Sequence, residues 1–197
     1  MTTLRLLAVA LTILGVWQLG HGAWIHAKAL LAQHLLQRAW TRTLAGERDV
    51  RPWPWADTWP VARLRVPAHD VDLIVLDGVS GRTLAFAPGR AAGSAAPGAP
   101  GTTIVAGHRD THFRFLERVM PGDELFLEAP DQPPARFRVR QTAIVDARTA
   151  VIRHAGDGGA ALVLLTCYPF DALAPGGPLR YVVAAEASTL ARRIRAE

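Results

Sequence analysis

The chain begins with an apolar run. From Leu6 to Ile25 only Thr12, Gln18 and His21 are clearly polar, and Arg5 stands just before it. As a helix this stretch spans about 30 Å, the thickness of a bilayer core. Helical spacing then continues through AWIHAKALLAQHLLQRAWTRTLAGE, where Leu30, Leu31, Leu35 and Trp40 are apolar positions ahead of Gly46. The pattern predicts a membrane anchor that emerges as a stalk, together covering residues 1–46. A cleaved signal peptide is the competing reading, since Leu6 to Leu19 has the length of its apolar region and Gly20 to Ala23 is small enough to be cut. The unbroken helical spacing beyond that point favours the anchor. Arg5 lies on one flank and Lys28, Arg38 and Arg42 on the other, so charge alone does not orient the segment.

The periodicity breaks at RPWPWADTWP, where Pro52, Pro54 and Pro60 forbid a regular helix or a central strand. Residues 47–60 are therefore a linker, with Trp53, Trp55 and Trp59 placed either at a membrane interface or against the following domain. Beyond it the chain turns to short β-branched and aliphatic runs. Strands are predicted at 62–66, 72–77, 82–87, 102–107, 124–129, 135–145, 160–167 and 179–187, punctuated by Asp77-Gly78, Ser80-Gly81, Pro121-Gly122-Asp123 and Pro175-Gly176-Gly177-Pro178. THFRFLERVM, from Thr111 to Met120, reads as a short helix that Asp110 and Thr111 are placed to cap. Pro88 to Gly101 reads as a flexible loop, a candidate lip for a groove. Many short strands with one helical turn predict an all-β closed barrel or sandwich over 61–188, followed by a basic tail at 189–197.

Composition adjusts this picture in two places. The 197 residues suffice for one well-cored domain with appendages. The net charge of +5 rests on scattered arginines, with Lys28 the sole lysine, as a GC-rich coding sequence produces; it is no argument for a nucleic-acid partner. Arg192, Arg193 and Arg195 form the one cluster, in a tail that is solvated or membrane-facing. The single cysteine, Cys167, excludes an internal disulfide, and an unpaired thiol outside the cytoplasm must be buried or useful.

Cys167 closes the predicted strand of LVLLTCYPF, and Pro169 stops the ladder right after it. A neutral thiol is a poor nucleophile and needs a base or a cation nearby. GHRDTHF supplies His108 at the end of another predicted strand, and Arg180 opens the strand after the Cys167 loop. Three strand ends can meet at one rim of a barrel. Taken singly, each residue has a bland reading as packed cysteine, turn histidine or surface ion-pair partner. His112 is a second candidate base, and His108 with His112 and Cys167 is a weak metal alternative, since the spacing lacks the Glu of a zincin motif. Nothing in the sequence points to a cofactor.

GHRDTHFRFLERVMPGDELFLE, then LLTCYPF, then PLRYVV, together resemble the sortases, membrane-anchored cysteine transpeptidases. The likeness runs from about Arg63 to Ala185 and is strongest to the group of Gram-negative bacteria, in which Tyr-Pro-Phe follows the cysteine. It implies an eight-stranded sortase-like β-barrel with one or two short helices, behind an N-terminal transmembrane or stalk helix. It implies Cys167 as nucleophile, His108 as proton donor to the leaving amine, Arg180 as the group that steadies the oxyanion, and Thr166 and Tyr168 beside the substrate. One departure is visible: the family's Thr-Leu-x-Thr-Cys reads Val163-Leu164-Leu165-Thr166-Cys167 here. The implied activity is cleavage of an exported protein's C-terminal sorting signal through a Cys thioester and transfer to an amine acceptor. The implied location is the inner membrane, single-pass, with the barrel in the periplasm. A cysteine hydrolase of the same fold and a noncatalytic envelope binding module are the alternatives on these residues.

Overall fold

The computed structural model describes residues 2–151, 159–172 and 176–188; the basic tail at 189–197 lies outside the described residues. The chain starts with α1 (Thr2–Leu44) and continues through β1 (Pro60–Val66), β2 (Val71–Asp77), α2 (Gly81–Leu84), β3 (Gly89–Arg90), β4 (Gly101–Ala106), β5 (Glu124–Glu128), β6 (Ala135–Asp146), β7 (Ala160–Cys167) and β8 (Leu179–Ala187). Single turns of 3-10 helix occupy Pro67–His69 and Arg114–Arg118. The strands close into an eight-stranded barrel in the order β1-β2-β3-β4-β7-β8-β6-β5, with β5 returning to β1.

Alternation fills the barrel. In β1, Ala62, Leu64 and Val66 point inward and are fully buried, while Arg63 and Arg65 point out. They meet Val75, Leu125, Leu127, Phe137, Leu162, Leu164 and Val183 in one apolar core, into which the segment before β5 adds Phe113, Phe115 and Leu116. Strand β2 breaks the alternation, because Ile74, Val75 and Leu76 are all buried. The reason is α1. Its C-terminal half lays Ala32, Leu36, Ala39, Trp40 and Thr43 in one buried stripe, and Leu36 and Trp40 pack with Ile74, Leu76 and Ala87 on the outer face of the sheet. Burial of side chains of this size contributes about 2 kcal/mol each. The N-terminal part of the same helix is exposed and apolar, and Thr3–Leu44 contains a window long and apolar enough to cross a membrane.

The strand expected at 82–87 is not one. Ser80 caps a helical turn instead, its hydroxyl accepting from the Thr83 N–H at 3.1 Å, and Phe86 and Ala87 then turn toward α1. The barrel recovers its missing strand from Gly89 and Arg90, inside the segment expected to be loop. That pair runs parallel to β2 and antiparallel to β4. Arg90 bonds Asp77 and the Ser94 carbonyl, and Thr103 bonds the Ala96 carbonyl, so residues 88–101 are tied to the barrel rather than loose. Asp110 and Thr111 cap nothing: the following turn starts at Phe113 with no side-chain cap, because the Phe113 N–H is taken by the His108 carbonyl at 2.9 Å.

Gly89 is the tightest backbone position. A Cβ there would sit 1.9 Å from the Gly78 carbonyl oxygen, which belongs to backbone and cannot swing away. Gly89→Ala is expected to cost about 3 kcal/mol, the upper end of overpacking costs, read as a lowered urea midpoint at unchanged slope. An unchanged midpoint would mean the β2-β3 contact is slack.

Candidate functional site

Strand β7 carries the site because it is paired on both sides. It runs parallel to β4, with Ala106 opposite Leu165, and antiparallel to β8, with Cys167 opposite Arg180. The Tyr168 N–H donates to the Leu179 carbonyl at 3.1 Å. That bond flanks a non-hydrogen-bonded antiparallel pair, in which opposed side chains share a face with Cβ atoms about 5 Å apart. Cys167 and Arg180 are therefore face-to-face neighbours. On the other side the β4–β7 register ends at Ala106–Leu165, and His108 follows two residues past it as Cys167 does on β7.

Small side chains secure these strand ends. The Gly107 N–H donates to the Leu165 carbonyl at 3.1 Å, and the Thr166 hydroxyl donates to the Gly107 carbonyl at 2.7 Å. Thr166 is buried, on the core side of β7 with Leu162 and Leu164, while Cys167 lies on the other side and is part exposed. Its hydroxyl thus locks the residue before His108 to the residue before Cys167. Gly107 must be glycine for packing reasons: a Cβ would lie 2.9 Å from the Phe113 ring. Beyond it His108 is exposed.

Arg180 sends Nη1 to the carbonyls of Gly177 and Leu179, both at 2.8 Å, which fixes the guanidinium over the β7-β8 loop. It also adds to the field on Asp146, whose carboxyl is held below the usual carboxylate range first by Arg148 and then by Arg180. Tyr168 follows Cys167 and stacks on Tyr181 with centroids 6.3 Å apart, while Phe170 meets Tyr181 edge-on at 5.2 Å. These three rings pack together against the barrel core at the end of β7.

Arg109 carries more of the site than its sequence context suggests. It is 8 % exposed, and its guanidinium donates to the Pro169 carbonyl at 2.9 Å and the Ala172 carbonyl at 2.6 Å. The residue after His108 therefore grips the loop after Cys167. The only signal in the sequence is its adjacency to His108; carbonyl partners sixty residues away leave none.

His108 also borders a groove of about 560 Å³ between the barrel and α1, with Asp110, His112 and Phe86 on one wall and Lys28 and Gln33 on the other. Gln33 Nε2 donates to the Phe86 carbonyl at 2.9 Å. Burial, then the charge of His108, hold His112 below the ordinary histidine value, against opposing pulls from the Phe86 carbonyl and Asp110. Among the described residues no three His, Cys, Asp or Glu side chains gather around one point as metal ligands would.

Residues 64–188 match the family described as the sortase domain. The chain belongs to the sortase family. It is similar to Sortase D of Bacillus subtilis strain 168, with 29 % identity over 120 residues. That alignment covers 61 % of this chain and 60 % of the relative, so the chain spans about three-fifths of the relative's length. Among solved structures the fold is similar to the lid mutant of sortase A from Corynebacterium diphtheriae, with TM-score 0.60 and 20 % identity over 82 % of this chain and 95 % of that one. It is also similar to sortase A of Listeria monocytogenes, with TM-score 0.57 and 23 % identity over 66 % and 87 % of the two chains. At these identities the structures speak to the barrel alone. The eight-stranded sortase barrel with few helices and an apolar N-terminal helix is thus the architecture of this chain.

Two outcomes follow from the contacts. Arg109→Ala removes the charge-assisted bonds to the Pro169 and Ala172 carbonyls and should destabilise the sortase barrel by about 2–3 kcal/mol, with faster alkylation of Cys167; parent-like alkylation would show that the loop stands without Arg109. Folded His112 resists a proton that the unfolded chain accepts, so the unfolded state binds more protons and stability falls as pH drops below about 6.5. Denaturant midpoints of His112→Gln should flatten in that window relative to the parent, while losses from Asp72, Asp123, Glu124 and Asp146, all held low, come at more acid pH. Superimposable profiles would contradict the assignment.

Proposed function

We propose that this sortase is a membrane-anchored cysteine transpeptidase in which Cys167 is the nucleophile, His108 the proton carrier and Arg180 the oxyanion partner. The observation that supports the reading most directly is the Cys167–Arg180 pair across β7 and β8, with His108 two residues past the end of β4, the parallel neighbour of β7. In this scheme the thiolate attacks the carbonyl of a peptide bond in the C-terminal sorting signal of an exported protein. The C–N bond breaks, the amine leaves with a proton from His108, and the acyl group stays as a thioester on Cys167. A second amine then takes it. Arg180 supplies fixed positive charge where the tetrahedral oxygen develops, and its hold on Gly177 and Leu179 keeps it from following the thiolate. A lysine lacks the planar fork.

Tyr168, next to Cys167, would lie beside the substrate. Thr166 would serve the substrate indirectly, by tying the strand end before Cys167 to the one before His108. The segment Leu6 to Ile25 would cross the inner membrane once, residues 1–46 acting as anchor and stalk, 47–60 as linker and 61–188 as the catalytic barrel facing the periplasm. Membership in the group of Gram-negative bacteria rests on Tyr168-Pro169-Phe170 after the cysteine.

The reading is tested by incubating the detergent-solubilised chain with a sorting peptide and an added amine. Mass spectrometry should find an acyl adduct on Cys167 that is absent in Cys167→Ala, and an amide of the added amine as product. Arg180→Lys should keep the fold and lose about 100-fold in turnover, the size of one oxyanion donor. If only free carboxylate forms, the enzyme is a hydrolase; if both variants process peptide like the parent, the site lies elsewhere.

A further inference from the structure

The groove beside His108 approaches it from the side of β4 that faces away from β7. In the barrel β4 has β7, with Cys167, on one side and β3 on the other. The groove is lined from α1, from Ala85 and Phe86 ahead of β3, and from the segment 108–112, with no described residue of β7 or β8. At about 560 Å³ it has the volume of a small-ligand site. Its walls are tied to each other: Gln33 of α1 donates to the Phe86 carbonyl at 2.9 Å, and His112 holds the same carbonyl from the barrel. The Phe86 ring is braced edge-on by Trp53 at 4.7 Å.

The charges on the two walls are opposite and unpaired. Lys28 stands on the α1 wall, its ammonium 5.5 Å from the Trp24 ring centroid, and Asp110 stands on the barrel wall. Both are exposed, and among the described residues neither has an ion-pair partner. Burial holds His112 toward its neutral form, so it adds no third charge near neutral pH. One cation and one anion on facing walls fit a ligand that carries an anion and a cation of its own, with an apolar spacer along Ala29, Ala32 and Phe86. The reaction has one substrate left to place. The donor carbonyl belongs with Cys167 and Arg180 on the β8 side, whereas the incoming nitrogen must touch His108.

We propose that the groove between α1 and the barrel is the acceptor site, and that the acceptor is an amine that also carries a carboxylate at the far end of a short aliphatic spacer. Its carboxylate pairs with Lys28 and its ammonium with Asp110. This rests on the transpeptidase reading of Cys167 and His108. On leaving Asp110 the ammonium sheds one proton to water, and the neutral nitrogen attacks the thioester carbonyl. A C–N bond forms, the nitrogen gives its second proton to His108, and the C–S bond breaks with its electron pair returning to Cys167 as thiolate. The His108 proton lost to the first leaving amine is thereby restored. The stalk helix thus supplies one wall of the acceptor site, and Lys28 selects among amines.

The test uses the full detergent-solubilised chain and the benzyl thioester of benzoylglycine, an activated acyl donor that needs no sorting motif. The acceptors are Nα-acetyllysine and its carboxamide, which share one amine and differ in the carboxylate. Acylation of Cys167 is followed by mass spectrometry and amide formation by chromatography, with Cys167→Ala as the background. The parent should show a KM for Nα-acetyllysine about fivefold below that for the carboxamide, the size of one exposed ion pair. Lys28→Gln should erase that difference, and Asp110→Asn should raise both KM values about fivefold; both positions are exposed, so the fold is kept. Amide formation with parent-like KM values in both variants overturns the acceptor site and leaves the transpeptidase reading standing. Variants that slow acylation but keep the acceptor KM values show that the groove seats the leaving group, which also overturns the proposal. If no amide forms above the Cys167→Ala background, the transpeptidase reading fails and the proposal with it.

Discussion

Everything at the candidate site depends on β7 being hydrogen-bonded along both edges. A parallel neighbour on one side and an antiparallel neighbour on the other fix the height of Cys167 against two different strand ends. A slip of one residue in either ladder would turn the sulfur to the core side, where Thr166 now sits. The apolar run from Leu162 to Leu165 is what forbids the slip, since Leu162 and Leu164 are sealed in the barrel. Thr166 adds a side-chain bond to the Gly107 carbonyl, beside the Gly107 N–H bond to the Leu165 carbonyl, where β4 and β7 end.

The loops around this ladder are held by arginines acting on backbone carbonyls. Arg109 reaches Pro169 and Ala172, Arg180 reaches Gly177 and Leu179, and Arg90 reaches Ser94. A planar guanidinium can satisfy several carbonyls at once, which suits loops that have no strand partner. Arg109 and Arg180 grip the two ends of the same β7-β8 connection, one from the His108 segment and one from β8 itself. The connection is thereby made part of the site rather than an appendage to it.

The N-terminal helix is likewise more than a tether. Its last turns are built into the molecule, with Leu36 and Trp40 covering β2 and Gln33 holding the Phe86 carbonyl that also faces His112. One helix thus joins a segment suited to a bilayer, the wall of the groove beside His108, and the outer cover of the barrel.

Much of this was legible in the order of residues. Alternation marked most strands to within a residue or two, because inward positions of a small barrel must be apolar. The motifs around His108, Cys167 and Arg180 nominated the candidate site through their resemblance to the sortases, since each residue taken singly has a bland reading. What the chain order could not carry was anything that depends on a distant neighbour. RTLAFA has the composition of a strand, yet Ser80 and the docking of Phe86 and Ala87 toward α1 make it a turn, and Gly89-Arg90 becomes the strand only because β2 and β4 leave a gap that a glycine fits. Arg109 is tied to the Pro169 and Ala172 carbonyls sixty residues on, a pairing that only the fold makes. Local pattern decides which face of a segment is apolar; only closure of the barrel decides what that face, and each buried donor, will meet.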